Sequence, residues 1–363
     1  MKILFLTVNM GAGGAERVLV NLANGLAERG HDITVRALTD TGTNIRGLSS
    51  NVRYEALLKR SFPGLGRLHK LPHRAIYSLV CSGCFDVIIP YVHGTLTRIV
   101  SYGPEAQKKV AWLHADMEKS PFMLQLVRDG EAESCFESYD RIIACSETVK
   151  SSFVHMTGIE DKVQVLYNTF DVAAIRRLAE KGERPGGSGL RLVSVGKLEE
   201  VKGYRRLLNV FDRLVNQDGL DLTLTIVGEG SERKRLEKYI QEHRLEKRVS
   251  LPGFDPNPYP YIQNSDWFIC SSYSEGFSSV VAESLILGVP VITTECSGMR
   301  EMLGDSRYGV ITENSDEGLY DGIRKNVMNS AEWREKAKER SAFFSTKTTI
   351  GAVEDMLREV AGQ

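Results

Sequence analysis

Two carboxylates, Glu275 and Glu283, are separated by seven residues in the run SEGFSSVVAE, which passes from a glycine-containing loop into an apolar segment of helical period. The pattern predicts Glu275 in the loop and Glu283 on a helix that starts at Ser279 and runs toward Leu287. Phe277 and Ser278 lead into that helix, and the free amides of Ser279 and Val280 at its start suit phosphate or sugar oxygens. A carboxylate nearby accepts hydrogen bonds from vicinal sugar hydroxyls.

Upstream, Gly196 and Lys197 follow the apolar run LRLVSV, and Lys202 and Gly203 close the same turn. Two cations bracketing a strand-to-helix turn suit a diphosphate. A second glycine loop, GAGGAER at residues 11–17, follows the first apolar run, and its Gly13 and Gly14 open a helix whose dipole favours an anion. Gly11 and Gly13 begin a dinucleotide fingerprint, but Glu16 stands where its third glycine belongs. Asp40 lies at a suitable distance for the fingerprint's acidic residue, yet the match stays incomplete.

These loops need strands behind them and helices after them. Short apolar runs (ILFLTV, ITVRAL, FDVIIPYV, KVAWLHA, RIIACS, VQVLYN) alternate with helix-period segments, the rhythm of βαβ units and a parallel sheet. The helix after KVAWLHA is expected from Lys119. A Pro/Gly/Ser stretch at residues 184–189 reads as a linker, and the rhythm restarts with LRLVSVG, LTLTIVG, VSLPG, DWFICS and PVITTE. The fold class is therefore α/β, with two Rossmann-like parallel-sheet domains over residues 1–180 and 181–348 and a site expected in the cleft between them. Residues 349–363 have amphipathic helical spacing and are expected to pack back on the first domain.

At 363 residues with a formal net charge of −1, composition fits an ordinary two-domain soluble chain and implies no nucleic-acid partner. The opening MKILFLTV reads as a buried strand rather than a secretory leader, and no apolar run reaches the ~18 residues of a spanning helix. Six scattered cysteines fit a reducing cytoplasm. Cys81 and Cys84 have C-x-x-C spacing, but no second pair follows at metal-ligand spacing. With no Asp-x-Asp motif to seat a divalent ion, no metal or other cofactor is expected.

The chain resembles the family 4 retaining glycosyltransferases of GT-B fold. The resemblance rests on GGAER at residues 13–17, VGKLEEVKG at 195–203, VGEGSERKRLE at 227–237, LPGF at 251–254 and the Glu275 to Glu283 segment, and it extends over nearly the whole chain. It implies that Lys202 neutralises a donor diphosphate, that Glu283 holds ribose hydroxyls and that Glu275 lies beside the transferred sugar. It also implies that Gly13 and Gly14 face the phosphate and sugar, that Gly253 and Phe254 lie along the nucleobase, and that Asn168 belongs to the donor site. His114, in WLHA, matches the family histidine that approaches the donor sugar, and Gly298 and Glu301 match a glycine-rich turn beside its hydroxyls. The family usually has arginine where this chain has Lys197, and lysine lacks the planar fork that grips phosphate at two points.

The implied activity is transfer of a hexose or N-acetylhexosamine, with retention and without metal, from a nucleotide sugar, most simply a UDP-sugar. The implied acceptor is a glycan or lipid-linked glycan of the cell envelope. A nucleotide-sugar epimerase of the same architecture and a non-catalytic nucleotide-sugar-binding subunit are the rival readings; a nicotinamide oxidoreductase fits less well. Residues 56–85 carry Lys59, Arg60, Arg67, Lys70 and Arg74 with no Asp or Glu, interleaved with apolar side chains. Such a segment suits either an anionic membrane or, since Pro63 and Pro72 prevent one continuous amphipathic helix, an ordinary solvated basic face. The resemblance, with its lipid-linked acceptors, implies that Arg67, Lys70 and Arg74 lie on the membrane or acceptor side, at the inner face of the plasma membrane.

Overall fold

The apolar runs assemble into two separate parallel sheets. A computed structural model describes residues 1–11, 13–60, 72–181 and 189–363. Among the described residues the first sheet holds β1 (Lys2–Thr7), β2 (Asp32–Thr39), β3 (Val52–Leu58), β4 (Val87–Pro90), β5 (Lys108–Leu113), β6 (Arg141–Ala144) and β7 (Val163–Val165), in the order β3-β2-β1-β4-β5-β6-β7. The second holds β8 (Leu190–Val195), β9 (Leu222–Val227), β10 (Val249–Gly253), β11 (Trp267–Cys270), β12 (Val291–Thr294) and β13 (Val310–Thr312), in the order β10-β9-β8-β11-β12-β13. Strand order reverses between β1 and β4 and again between β8 and β11, and such a switch point opens a crevice at the carboxyl ends of the strands.

Strands covered on both faces read as continuous apolar runs, as β1 does with Ile3 to Leu6 all buried. Helix Gly14–Glu28 lays Val18, Leu19, Leu22 and Leu26 on that sheet, and helix Thr346–Ala361 adds Ile350, Val353, Leu357 and Val360 to the same core. The second core joins β8 and β9 to helix Tyr204–Asp212 through Leu192, Leu224, Leu207, Leu208 and Phe211.

The two units comprise Met1–Phe170 with Thr346–Gln363, and Asp171–Ser345. The division falls about ten residues before the boundary expected from the glycine-rich stretch, because helix Val172–Ala179 packs with the second unit: Ile175 and Ala179 are buried and Asn257 Nδ2 donates to the Leu178 carbonyl at 3.0 Å. Of the expected linker, only Gly189 lies within the described residues. The helix expected from Lys119 begins at Pro121 instead, capped by Ser120, whose Oγ accepts from the Met123 amide, while Lys119 ends a single 3₁₀ turn. Strands β3 and β13 are additions to the runs read from the sequence. Both lie at sheet edges, where partial exposure dilutes the apolar signal.

Candidate functional site

In the second unit, Lys202 and Glu275 come from loops 73 residues apart and meet at the switch point, Nζ to Oε1 at 2.7 Å. Gly203 makes this possible. Its φ of +64 and the 2.1 Å that would separate an added Cβ from the Ser271 carbonyl allow no side chain there, so the β8 turn presses directly on the end of β11. The Ser271 hydroxyl donates to the Lys202 carbonyl at 3.0 Å, and the Tyr273 amide donates to the Val201 carbonyl at 2.8 Å. Burial works against the Lys202 charge, but Glu275 more than offsets it, so the ammonium pKa is raised and Lys202 stays charged at neutral pH. Burial, then Glu275, raises the neighbouring Cys270 thiol, which therefore stays protonated and unreactive. Lys197 is exposed and forms no ion pair among the described residues.

Helix Ser279–Ile286 begins beside this pair. Ser278 occupies its cap position without a side-chain hydrogen bond, so amides of the first turn remain available to an anion. Phe277 is buried, and Gly298, at φ +75, fits against it: an added Cβ would lie 2.9 Å from the Gly276 carbonyl. The 276–278 loop and the turn carrying Gly298 and Glu301 thus form one surface. Gly196 sits at the end of β8, and Phe254 is half exposed directly after β10. Glu283 differs sharply from Glu275. It is only 2% exposed, and Tyr259 Oη donates to its Oε1 at 3.2 Å.

In the first unit, Gly13 precedes helix Gly14–Glu28, and the Glu16 carboxylate folds back so closely that a Cβ on Gly13 would lie 2.1 Å from Oε2. A negative charge thus already faces the start of this helix. His114, after β5, has its ring against Tyr91 (4.7 Å between centroids), and its amide donates to His93 Nδ1 at 3.4 Å. Burial first, and His93 second, push the His114 pKa down to about 3, while burial holds His93 at about 4. Both imidazoles are neutral at physiological pH. His114 Nε2 and Asn168 Oδ1 are buried and carry no hydrogen bond among the described residues. Arg74 is exposed on helix His73–Val80, whereas Arg67 and Lys70 lie outside the described residues.

The arrangement gathers a cation, two carboxylates and uncapped helix amides at one sheet edge, a chemistry suited to a phosphorylated, hydroxyl-rich ligand. The family model described as Glycosyltransferase Family 4 matches residues 12–174, and that described as Glycosyl transferases group 1 matches residues 177–342, in tandem over most of the chain. The chain belongs to glycosyltransferase family 4.

This family 4 chain is 33% identical over 202 residues to the N-acetylgalactosamine-N,N'-diacetylbacillosaminyl-diphospho-undecaprenol 4-alpha-N-acetylgalactosaminyltransferase of Campylobacter jejuni, covering 54% of each sequence. It therefore spans about half the length of that relative. It is 25% identical over 324 residues to the lipopolysaccharide core biosynthesis glycosyltransferase LpsE of Rhizobium meliloti, covering 88% of this chain and 87% of the relative. Among solved structures, HepE of Anabaena in complex with UDP and glucose has a TM-score of 0.78 at 20% identity, covering 98% of this chain and 99% of HepE. Sucrose-phosphate synthase of Thermosynechococcus elongatus has a TM-score of 0.81 at 17% identity, covering 99% of both chains. These likenesses establish the GT-B fold.

Sequence reading did not single out Ser272, Tyr259 or His93 in this family 4 chain, although each touches a residue it did select. Ser272 stands within the run that ends in Glu275, so proximity was a usable signal; Tyr259 and His93 are 24 and 21 residues from their partners.

Proposed function

We propose that this chain transfers a hexose or N-acetylhexosamine, with retention and without a metal ion, from a UDP-sugar to a glycan or lipid-linked glycan in cell-envelope polysaccharide synthesis. The Lys202–Glu275 pair beside an uncapped helix start carries the reading. It holds a permanent cation, and a carboxylate with one oxygen committed, where a diphosphate and a sugar would lie together. Lys202 has three ammonium protons and can serve phosphate and Glu275 at once. The amides of Ser279 and Val280 then share the charge that develops on the leaving diphosphate. Glu283 takes ribose hydroxyls, Glu275 a hydroxyl of the transferred sugar, and neutral His114 another of its hydroxyls. Lys197 adds a phosphate contact at a single point. The relatives named for lipopolysaccharide core synthesis and for a diphospho-undecaprenol acceptor support the choice of acceptor.

The test is turnover of UDP-hexoses with a lipid-linked acceptor in excess chelator. Transfer should persist there and fall by at least roughly tenfold in Lys202→Ala, which loses a charge-assisted hydrogen bond of about 1.5 to 3 kcal/mol. Activity lost to chelator and restored by magnesium would remove the metal-independent mechanism. Turnover without acceptor would favour an epimerase, and no turnover at all a binding subunit.

A further inference from the structure

Glu275 Oε1 accepts two hydrogen bonds, from Lys202 Nζ at 2.7 Å and from Ser272 Oγ at 2.6 Å. Oε2 has no hydrogen-bond partner among the described residues, so the carboxylate is fixed through one oxygen and offers the other. The two donors differ in how permanently they can hold it. An arriving diphosphate competes for the Lys202 ammonium, whereas nothing in the proposed reaction competes for the Ser272 hydroxyl.

Ser272 is also firmly seated. It is 2% exposed, its carbonyl accepts from Thr294 Oγ1 at 2.6 Å and from Cys296 Sγ at 3.1 Å, and the next residue's amide is bonded to the Val201 carbonyl. At that burial, water has little access to replace a lost hydroxyl. Cys270 Sγ, 4.0 Å from Oε1, is a weak and distant substitute.

We propose that Ser272 is a positioning residue that fixes Glu275 while the donor diphosphate engages Lys202, a role that rests on the proposed transferase reading. In this role Ser272 acts through the carboxylate, to which its hydroxyl donates. Its loss should therefore appear in the chemical step rather than in donor capture.

Ser272→Ala and Ser272→Thr test this through kinetics, thermal melting and crystal structures of Ser272→Ala without ligand and with UDP. We expect kcat of Ser272→Ala to fall roughly ten- to a hundredfold with donor KM within about twofold of wild type, and Ser272→Thr, which keeps the hydroxyl, to recover most of the loss. With UDP bound at Lys202 the Glu275 carboxylate of Ser272→Ala should leave its wild-type position, whereas without ligand the Lys202 ammonium still holds it. Unchanged kcat, an equal loss in both variants that follows a lowered Tm, or a carboxylate that stays in place with UDP bound would overturn the proposal. If wild type transfers no sugar, the functional reading falls, and the carboxylate position still decides what Ser272 does.

Discussion

Glu275 and Glu283 lie two helical turns apart in sequence yet meet different surroundings, so their substitutions should fail differently. Glu275 is held by Lys202 and Ser272 with one oxygen free, whereas Glu283 is buried under the Tyr259 hydroxyl. Glu275→Gln should lower kcat by roughly a hundredfold with little change in donor KM, whereas Glu283→Ala should raise donor KM by about tenfold. Steady-state kinetics separates the two, and wild-type constants in both variants would sink the assignment. The histidines give a second check. Burial depresses both imidazoles, His114 to about 3 and His93 to about 4, so neither should titrate between roughly pH 5 and 8 in an NMR experiment following the ring C–H signals. Because the unfolded chain binds these protons near pH ~6.5, their contribution to stability is complete above that value and is lost as pH falls toward 4 and 3.

At the scale of elements, helix Thr346–Ala361 completes the first core, although it follows the whole second unit in the chain. Apolar packing seats it, and Glu354 fixes its orientation through Arg29 Nη1 at 2.6 Å and His31 Nε2 at 3.0 Å, while Arg358 Nη2, one turn along the same helix, holds the carboxylate at 2.8 Å. Hydrogen bonds from Arg29 and then Arg358 bring the Glu354 carboxyl down to about 2. A depressed carboxyl contributes stability above its unfolded value of ~4.3 and loses it as pH falls toward 2. Glu354→Gln should therefore lower Tm at pH 7, and the gap to wild type should narrow as pH is taken down toward 2. A gap independent of pH in thermal scans would mean that the side chain acts by packing alone.

For the whole molecule the open matter is where the acceptor is met. Among the described residues no helix is long and apolar enough to cross a membrane. Arg74 is exposed on helix His73–Val80, as is the large apolar Leu79. Cations near an anionic bilayer contribute about 1 kcal/mol each, so the basic segment is expected to give salt-sensitive binding. The protein should sediment with anionic vesicles at low salt and remain in solution at high salt, and changing Arg67, Lys70 and Arg74 to Glu should abolish the effect. Equal partitioning of both forms would make the segment an ordinary solvated surface.

Two parallel sheets, the glycine turns after β1 and β8, and Glu275 in a loop with Glu283 on a helix were all legible in the sequence. Each rests on local physics: a strand covered on both faces must be apolar throughout, and a close backbone approach admits only glycine. Edge strands β3 and β13 escaped because most of their side chains are only partly buried, and the division at residue 171 escaped because a glycine-rich stretch marks where the chain can bend, not which core the preceding helix joins. Sequence chose Lys202 and Glu275 separately. Only the fold made them an ion pair, because hydrogen bonding between β8 and β11, distant in the chain and adjacent in the sheet, brings their carboxyl-end loops within 2.7 Å. The same holds for Ser272, Tyr259 and His93. A hydroxyl or imidazole has no preferred partner in one dimension, and burial beside a particular group is what gives it one.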